Sequence, residues 1–265
     1  MMKLLRVGLA ALICAPGVVG QVVPGGPAAP GQEEVEAPKS ESPRTFFDGW
    51  TTSAALGLNG SEGNTENFSF RANLKGERKE EFMSTGYELI YNRTSENSDV
   101  TANRFEARGR NDWLFPDAPR WRYFLTVTYE YDDFQDWQHR LSVGNGLGYA
   151  FIQDERTLLL GRAGIGIFRE FGGDDNRWHP EGILGLDLEH KISDKQKVTA
   201  TVEYLPDLLD IGPYRARAAA TYEILLDEAT NMSLKLGAED RYDSSPGEDR
   251  KRNDLTYFAM LAWTF

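Results

Sequence analysis

Cysteine is nearly absent: the 265-residue chain has one, Cys14. A single thiol excludes an intrachain disulfide and any zinc site built on several cysteines. Histidine is scarce as well, with only His139, His179 and His190, which leaves little material for a histidine-rich metal centre. Bases are outnumbered, 29 Lys+Arg against 41 Asp+Glu, for a formal charge of −12. Binding a nucleic-acid backbone calls for a positive surface, so no nucleic acid is expected as a partner. Beyond residue 20 the chain lacks an apolar run of the roughly 18 residues that read as a membrane-spanning helix. Mean hydropathy is −0.49, a value that suits a water-soluble protein. Two features fit that picture poorly, namely 12% aromatic residues and 26 glycines.

The N-terminus carries an export pattern. Lys3 and Arg6 precede an apolar core, Val7 to Ile13, that is too short to span a bilayer. Val18 and Gly20 supply small residues at the expected positions, which predicts cleavage between Gly20 and Gln21. Ala11-Leu12-Ile13 lacks the small residue that lipidation needs before Cys14, so this cysteine is read as filler of the apolar core. Losing residues 1–20 removes two bases and no acid, so the remaining chain is more acidic still. Residues 21–45 hold Pro24, Pro27, Pro30, Pro38 and Pro43 among glutamates. Such a segment cannot bury a core and reads as a disordered periplasmic linker, either a tether or an inert tail.

From residue 46 to 265 the sequence alternates with period two, the mark of strands with two different faces. In 68–77, Phe68, Phe70, Ala72 and Leu74 alternate with Ser69, Arg71, Asn73 and Lys75. In 121–131, Trp121, Tyr123, Leu125, Val127, Tyr129 and Tyr131 share one face. Repeats of this pattern predict about twelve strands of roughly 10 to 15 residues. Apolar faces begin and end in aromatics: Trp121 and Tyr131, Tyr214 and Tyr222, Trp137 and Phe151. Rings at both interfaces with aliphatics between them are the girdles of a transmembrane barrel, whose closure leaves no strand edge unpaired.

The connections alternate in length. Those near 78–81, 114–120, 153–156, 193–197 and 226–230 would be periplasmic turns. Those near 60–66, 93–99, 132–136, 170–181, 206–213 and 243–253 would be outer loops, most of them longer. The predicted fold is an all-β, antiparallel outer-membrane β-barrel with both termini periplasmic. Tyr257, Leu261, Trp263 and the terminal Phe265 lie on one face of the last strand and resemble the assembly signal of such barrels. Outer-membrane lipid, lipopolysaccharide and the barrel assembly machinery are the expected partners.

Two segments resemble the domain of unknown function 481 family, also known as salt-induced outer membrane proteins. They are LGLNGSEGNTENFSFRANL (56–74) and RYFLTVTYEYDDFQDWQHRLSVGNGLGYAFI (122–152). The resemblance extends over residues 46–265. It implies an outer-membrane barrel with a link to salt or osmotic stress, and it transfers no catalytic residue.

On the polar faces twelve bases oppose twelve acids, so the lumen is expected to be charge-balanced. Closing the 114–120 turn symmetrically sets Asp112 opposite Arg122 and Arg104 opposite Glu130. Opposite charges across strands stabilise modestly. Closing the connections on either side of 137–151 sets Gly146 between Arg122 and Arg162. Arg140 is a further lumen charge. Gly144, Gly146 and Gly148 face the lumen, either making room for long side chains or permitting strand curvature.

Two functions follow: a narrow passive pore for small solutes or ions, or a closed barrel that is structural or presents its loops. Twelve strands suit both, because lumen side chains decide the bore. A lipid hydrolase is disfavoured. His139 falls on the lipid face, with Tyr129 and Arg169 as expected neighbours, but no serine accompanies it, and Ser–His is the minimum for that chemistry. His179, expected in a loop beside Asp174 and Asp175, is a weak metal motif. GNGLGYA (144–150) lacks the following helix that a dinucleotide motif requires. No enzyme, cofactor or metal is expected.

Overall fold

The computed structural model describes residues 48–61, 66–173, 176–210, 212–246 and 250–265. The expected cleavage site at Gly20 and Gln21, Cys14, the linker at 21–45, and Asp174 and Asp175 lie outside the described residues.

Period-two alternation becomes twelve strands. They are β1 (Trp50–Ser61), β2 (Asn67–Lys79), β3 (Met83–Glu96), β4 (Asp99–Phe115), β5 (Ala118–Asp132) and β6 (His139–Gln153), then β7 (Thr157–Phe171), β8 (Trp178–Ser193), β9 (Gln196–Pro206), β10 (Tyr214–Asp227), β11 (Met232–Asp243) and β12 (Asn253–Thr264). Each pairs antiparallel with its neighbours in sequence, and β1 pairs with β12, closing a barrel. The outward face carries Val127, Ile165, Leu186 and Val202, all exposed. Rings stack at both margins of this band. Trp50 meets Tyr87 at 5.2 Å and Trp121 meets Tyr149 at 4.9 Å near the end that carries the chain terminus. Tyr131 meets His139 at 5.3 Å and Tyr204 meets Tyr214 at 5.1 Å near the other end. Apolar residues outward and charges inward invert the soluble arrangement and match a lipid-facing wall.

The connections are tighter than the sequence suggests. Pro116 and Asp117 alone join β4 to β5, with a register shift at Leu114/Phe115. Asn97 and Ser98 alone join β3 to β4, with φ of 49° and 72°. Positive φ at both central residues gives the turn twist that suits a two-residue hairpin, so the expected 93–99 loop is a hairpin instead. The stretch assigned to the 170–181 loop contributes residues to β7 and β8, and His179 belongs to β8. Trp137 leaves the girdle altogether. It is 9% exposed, folded inward with the Arg140 guanidinium 3.8 Å from its ring.

Phe265 helps to close the ring. Thr52 N donates to Phe265 O at 2.9 Å, and Phe265 N donates to Thr52 O at 2.8 Å. Between these strands the ladder holds four further pairs, Ser53↔Thr264 to Leu56↔Leu261. With so few bonds at the seam, each one weighs more than in the longer ladders. Deleting Phe265 is expected to lower the folded fraction several-fold at a fixed refolding time, read as heat-modifiable mobility on a gel. An unchanged fraction would show that closure does not depend on this residue.

Candidate functional site

Alternation places Arg104, Glu106, Arg108, Arg110 and Asp112 of β4 on one inward face. Glu106 is 2% exposed and gathers arginines from across the barrel. Arg217 of β10 donates to it at 2.6 Å, Arg108 at 3.2 Å, and Arg241 of β11 also donates to it. β4 and β10 stand six places apart in a ring of twelve, so the Glu106–Arg217 bond spans the lumen. Glu239 of β11 is a second hub, bound by Arg71 at 3.0 Å, Arg104 and Arg217 at 3.2 Å, and Arg241 at 2.9 Å. Together they form a transverse belt. Burying such charges carries a desolvation cost that only a well-bonded network offsets, and each carboxylate here has several partners.

Other pairs extend the belt in both directions. Glu130 is bound by Arg241 at 3.1 Å and Arg140 at 3.6 Å, and Arg140 Nε donates to Glu170 at 2.9 Å. Nearer the short turns, Asp112 meets Arg162 of β7 at 3.3 Å, and Asp187 meets Arg110 at 3.4 Å.

The structure overturns the expected cross-strand pairings. Asp112 stands opposite Phe124, Arg122 opposite Leu114, and Arg104 opposite Asp132. Glu130 stands opposite Glu106, a like-charge pair that the arginines hold together. The tight 116–117 turn and the adjacent bulge shift the register by two residues relative to a symmetric closure. Likewise Gly148, not Gly146, sits between Arg122 and Arg162.

The three glycines of β6 differ in role. A Cβ on Gly148 would lie 2.9 Å from Arg122 Cγ, so that glycine makes room for a long side chain. One on Gly144 would strike Ile183 Cδ1. One on Gly146 would strike the β7 backbone, at Ala163 O and at Gly164 Cα 2.5 Å away. There the glycine permits close backbone approach, which is the curvature role.

Several inward charges escape the sequence reading, among them Asp243 of β11 and Asp254 of β12, which line the lumen. Glu181 of β8 is 3% exposed and accepts from Arg215, and Lys197 of β9 lies 3.7 Å from Glu223. Glu181 alternates in phase with Ile183 and Gly185, a signal that the expected loop obscured.

The belt separates two cavities. One, of about 320 Å³, is lined by Lys75, Glu88, Glu189, Lys197, Glu223 and Lys235. The other, of about 140 Å³, lies under Trp137 among Arg140, Glu181, Arg215 and Lys251. Both reach Arg108 and Arg217.

Of the three histidines, His179 shares the inward face of β8 with Glu181, next to the arginine network. His139 faces Tyr131 and Phe171 in the ladder, rather than Tyr129 and Arg169, while its Nδ1 lies 2.8 Å from the Tyr129 hydroxyl. His179 stacks on Phe168 and lies 3.4 Å from Asp207. Among the described residues no group of three or more His, Cys, Asp or Glu could hold a metal. GNGLGYA lies wholly within β6.

Solved structures of similar shape are barrels. The COG4313 outer membrane channel from Pseudomonas putida F1 is 10% identical, with a TM-score of 0.49, over 88% of this chain and 100% of that one. The translocator domain of the autotransporter NalP from Neisseria meningitidis is 14% identical, with a TM-score of 0.44, over 82% and 88%. The KdgM porin is 9% identical, with a TM-score of 0.44, over 82% and 99%. The architecture assigned above rests on the strand pairing itself, not on these likenesses. No curated protein sequence matches. The model of DUF481, described as a protein of unknown function, matches residues 54–265. With most of the chain matched, and with the barrel built from those residues, the protein belongs to the DUF481 family.

Proposed function

We propose that this chain is an outer-membrane barrel, termini periplasmic, that passes ions and small solutes through a lumen constricted by the Glu106–Glu239 belt. The observation that carries this reading is the polar interior. Cavities lie on both sides of the belt, and both reach its arginines, Arg108 and Arg217. Side chains, not backbone, form the constriction, so its width depends on rotamers. Outer-membrane lipid, lipopolysaccharide and the barrel assembly machinery remain the proposed partners, and a role in salt or osmotic stress belongs to the same proposal.

Near-equal numbers of inward bases and acids argue for weak selectivity between cation and anion. In a planar bilayer with a KCl gradient, the protein is expected to show small, salt-proportional currents and a reversal potential close to zero. Silent insertion would sink the pore and favour a second reading, a closed structural barrel, for which the near-complete burial of Glu106 speaks. No catalytic arrangement enters either reading.

A further inference from the structure

The belt arginines are all bonded to acids, but Arg122 of β5 is not. It is 7% exposed, and its Nε is buried without a hydrogen-bond partner. The carboxylates beside it are taken by other arginines. Asp112 is held by Arg162 at 3.3 Å and Arg110 at 3.8 Å, and Asp187 by Arg110 at 3.4 Å and by Arg162. Among the described residues Arg122 forms no ion pair. Three arginines thus share two carboxylates, and one positive charge is left over.

The strand register brings these groups together. Asp112 stands opposite Phe124 on β5, and Arg122 is the next inward residue toward the short turn. Arg122 and Arg162 flank Gly148, the glycine that leaves room for the Arg122 stem. Phe124 and Leu160, both fully buried, form the apolar backing. Arg162 Nε and Asp112 Oδ1 are also buried without a hydrogen-bond partner. The cluster therefore offers two unused donors and one unused acceptor. Arg122, Arg162 and Asp112 all line one cavity of about 500 Å³. Its wall includes Asp154 and Arg156 of the β6–β7 turn, so it lies at the short-turn end.

We propose that Arg122, Arg162 and Asp112 form a binding subsite for a hydrogen phosphate group, either the free ion or the head of a phosphate monoester. The guanidiniums donate to its oxygens, a pairing strengthened by charge on both sides. Its remaining P–OH donates to Asp112 Oδ1. A singly charged phosphate also cancels the surplus charge of Arg122. Sulfate and phosphodiesters carry no such hydrogen at neutral pH. They would set their lone pairs against Oδ1 and leave a buried acceptor unsatisfied, which is costly. The apolar backing limits screening by water and sharpens that difference. This subsite goes beyond axial conduction and does not depend on it, because the cavity reaches the short-turn end whether or not the belt passes ions.

The test is calorimetric titration of the full chain, refolded in neutral detergent and chloride buffer at neutral pH. Inorganic phosphate is expected to bind saturably, one per chain. Sulfate and dimethyl phosphate are expected to bind at least about tenfold more weakly. Glycerol phosphate separates the two sources: binding extends the subsite to monoesters, and failure confines it to the free ion. Arg122→Gln is expected to weaken phosphate binding at least about tenfold. That variant loses a charge with no ion pair, so it should fold as well as the parent. Phosphate should raise the urea midpoint of the parent and leave that of Arg122→Gln in place. The preference for phosphate over sulfate is read on the parent chain and needs no variant, and KCl conductance reports the axial pore separately. No saturable binding, sulfate bound as tightly as phosphate, or unchanged affinity in Arg122→Gln would overturn the subsite.

Discussion

Replacing Glu106 by Gln is expected to destabilise the barrel and to raise its conductance together. Arg217, Arg241 and Arg108 all direct donors at this carboxylate. Gln keeps the shape and one acceptor but removes the charge. The arginines would then face one another across the lumen with Glu239 as the remaining hub. Breaking a buried pair from one side costs about 3–5 kcal/mol, because the other charge is left uncompensated. Water in the two cavities can rehydrate those arginines, so the lower end, about 3 kcal/mol, is the expected loss. A urea titration would read it as a lower midpoint with an unchanged slope. The freed guanidiniums would also leave the lumen axis, and single-channel current is expected to rise several-fold. Glu106→Asp keeps the charge and should lie between the two. If Glu106→Gln left both midpoint and current unchanged, the belt would be neither the brace nor the constriction.

The second large effect is at Gly146. Gly146→Leu is expected to abolish folding, whereas Gly148→Ala is expected to be mild. Both substitutions add a side chain facing the lumen, but they meet different obstacles. At 148 the first contact is Arg122 Cγ, part of a flexible side chain that can turn away. At 146 it is the β7 backbone at Ala163 and Gly164, which cannot yield without breaking the ladder. Ordinary overpacking costs about 1–3 kcal/mol, and a clash with backbone exceeds what a rotamer change can relieve. Heat-modifiable mobility after refolding would show a folded band for Gly148→Ala and none for Gly146→Leu. Normal folding of Gly146→Leu would mean that β6 and β7 can separate at this point.

Much of this architecture was legible in advance because a barrel strand writes its environment into every second residue. The faces of β2 and β5, the aromatic margins and the even strand number follow from local pattern alone. What escaped depended on a neighbour or a turn. The turns at 97–98 and 116–117 are two residues long, shorter than the local pattern suggests, and the β4–β5 charge pairs shift with the second of them. Trp137 fits a girdle pattern by sequence, yet it turns inward because the 133–138 connection folds over the lumen and offers it Arg140.

The belt and the seam are more remote still. Glu106 and Arg217 are 111 residues apart and meet only because twelve strands close into a ring. No local pattern says which inward charges will be diametrically opposed, since that depends on strand number and stagger together. Nor does the composition of β1 or β12 announce that their ladder stops at Leu56↔Leu261. By itself the amino-acid sequence determined which face of each strand meets lipid and which meets the lumen. Alternation is a property of one strand, and the environment of each face selects its residues. Only the tertiary structure decided which charges meet and where the closing ladder ends. Both are set by closure, a relation among strands far apart in the chain.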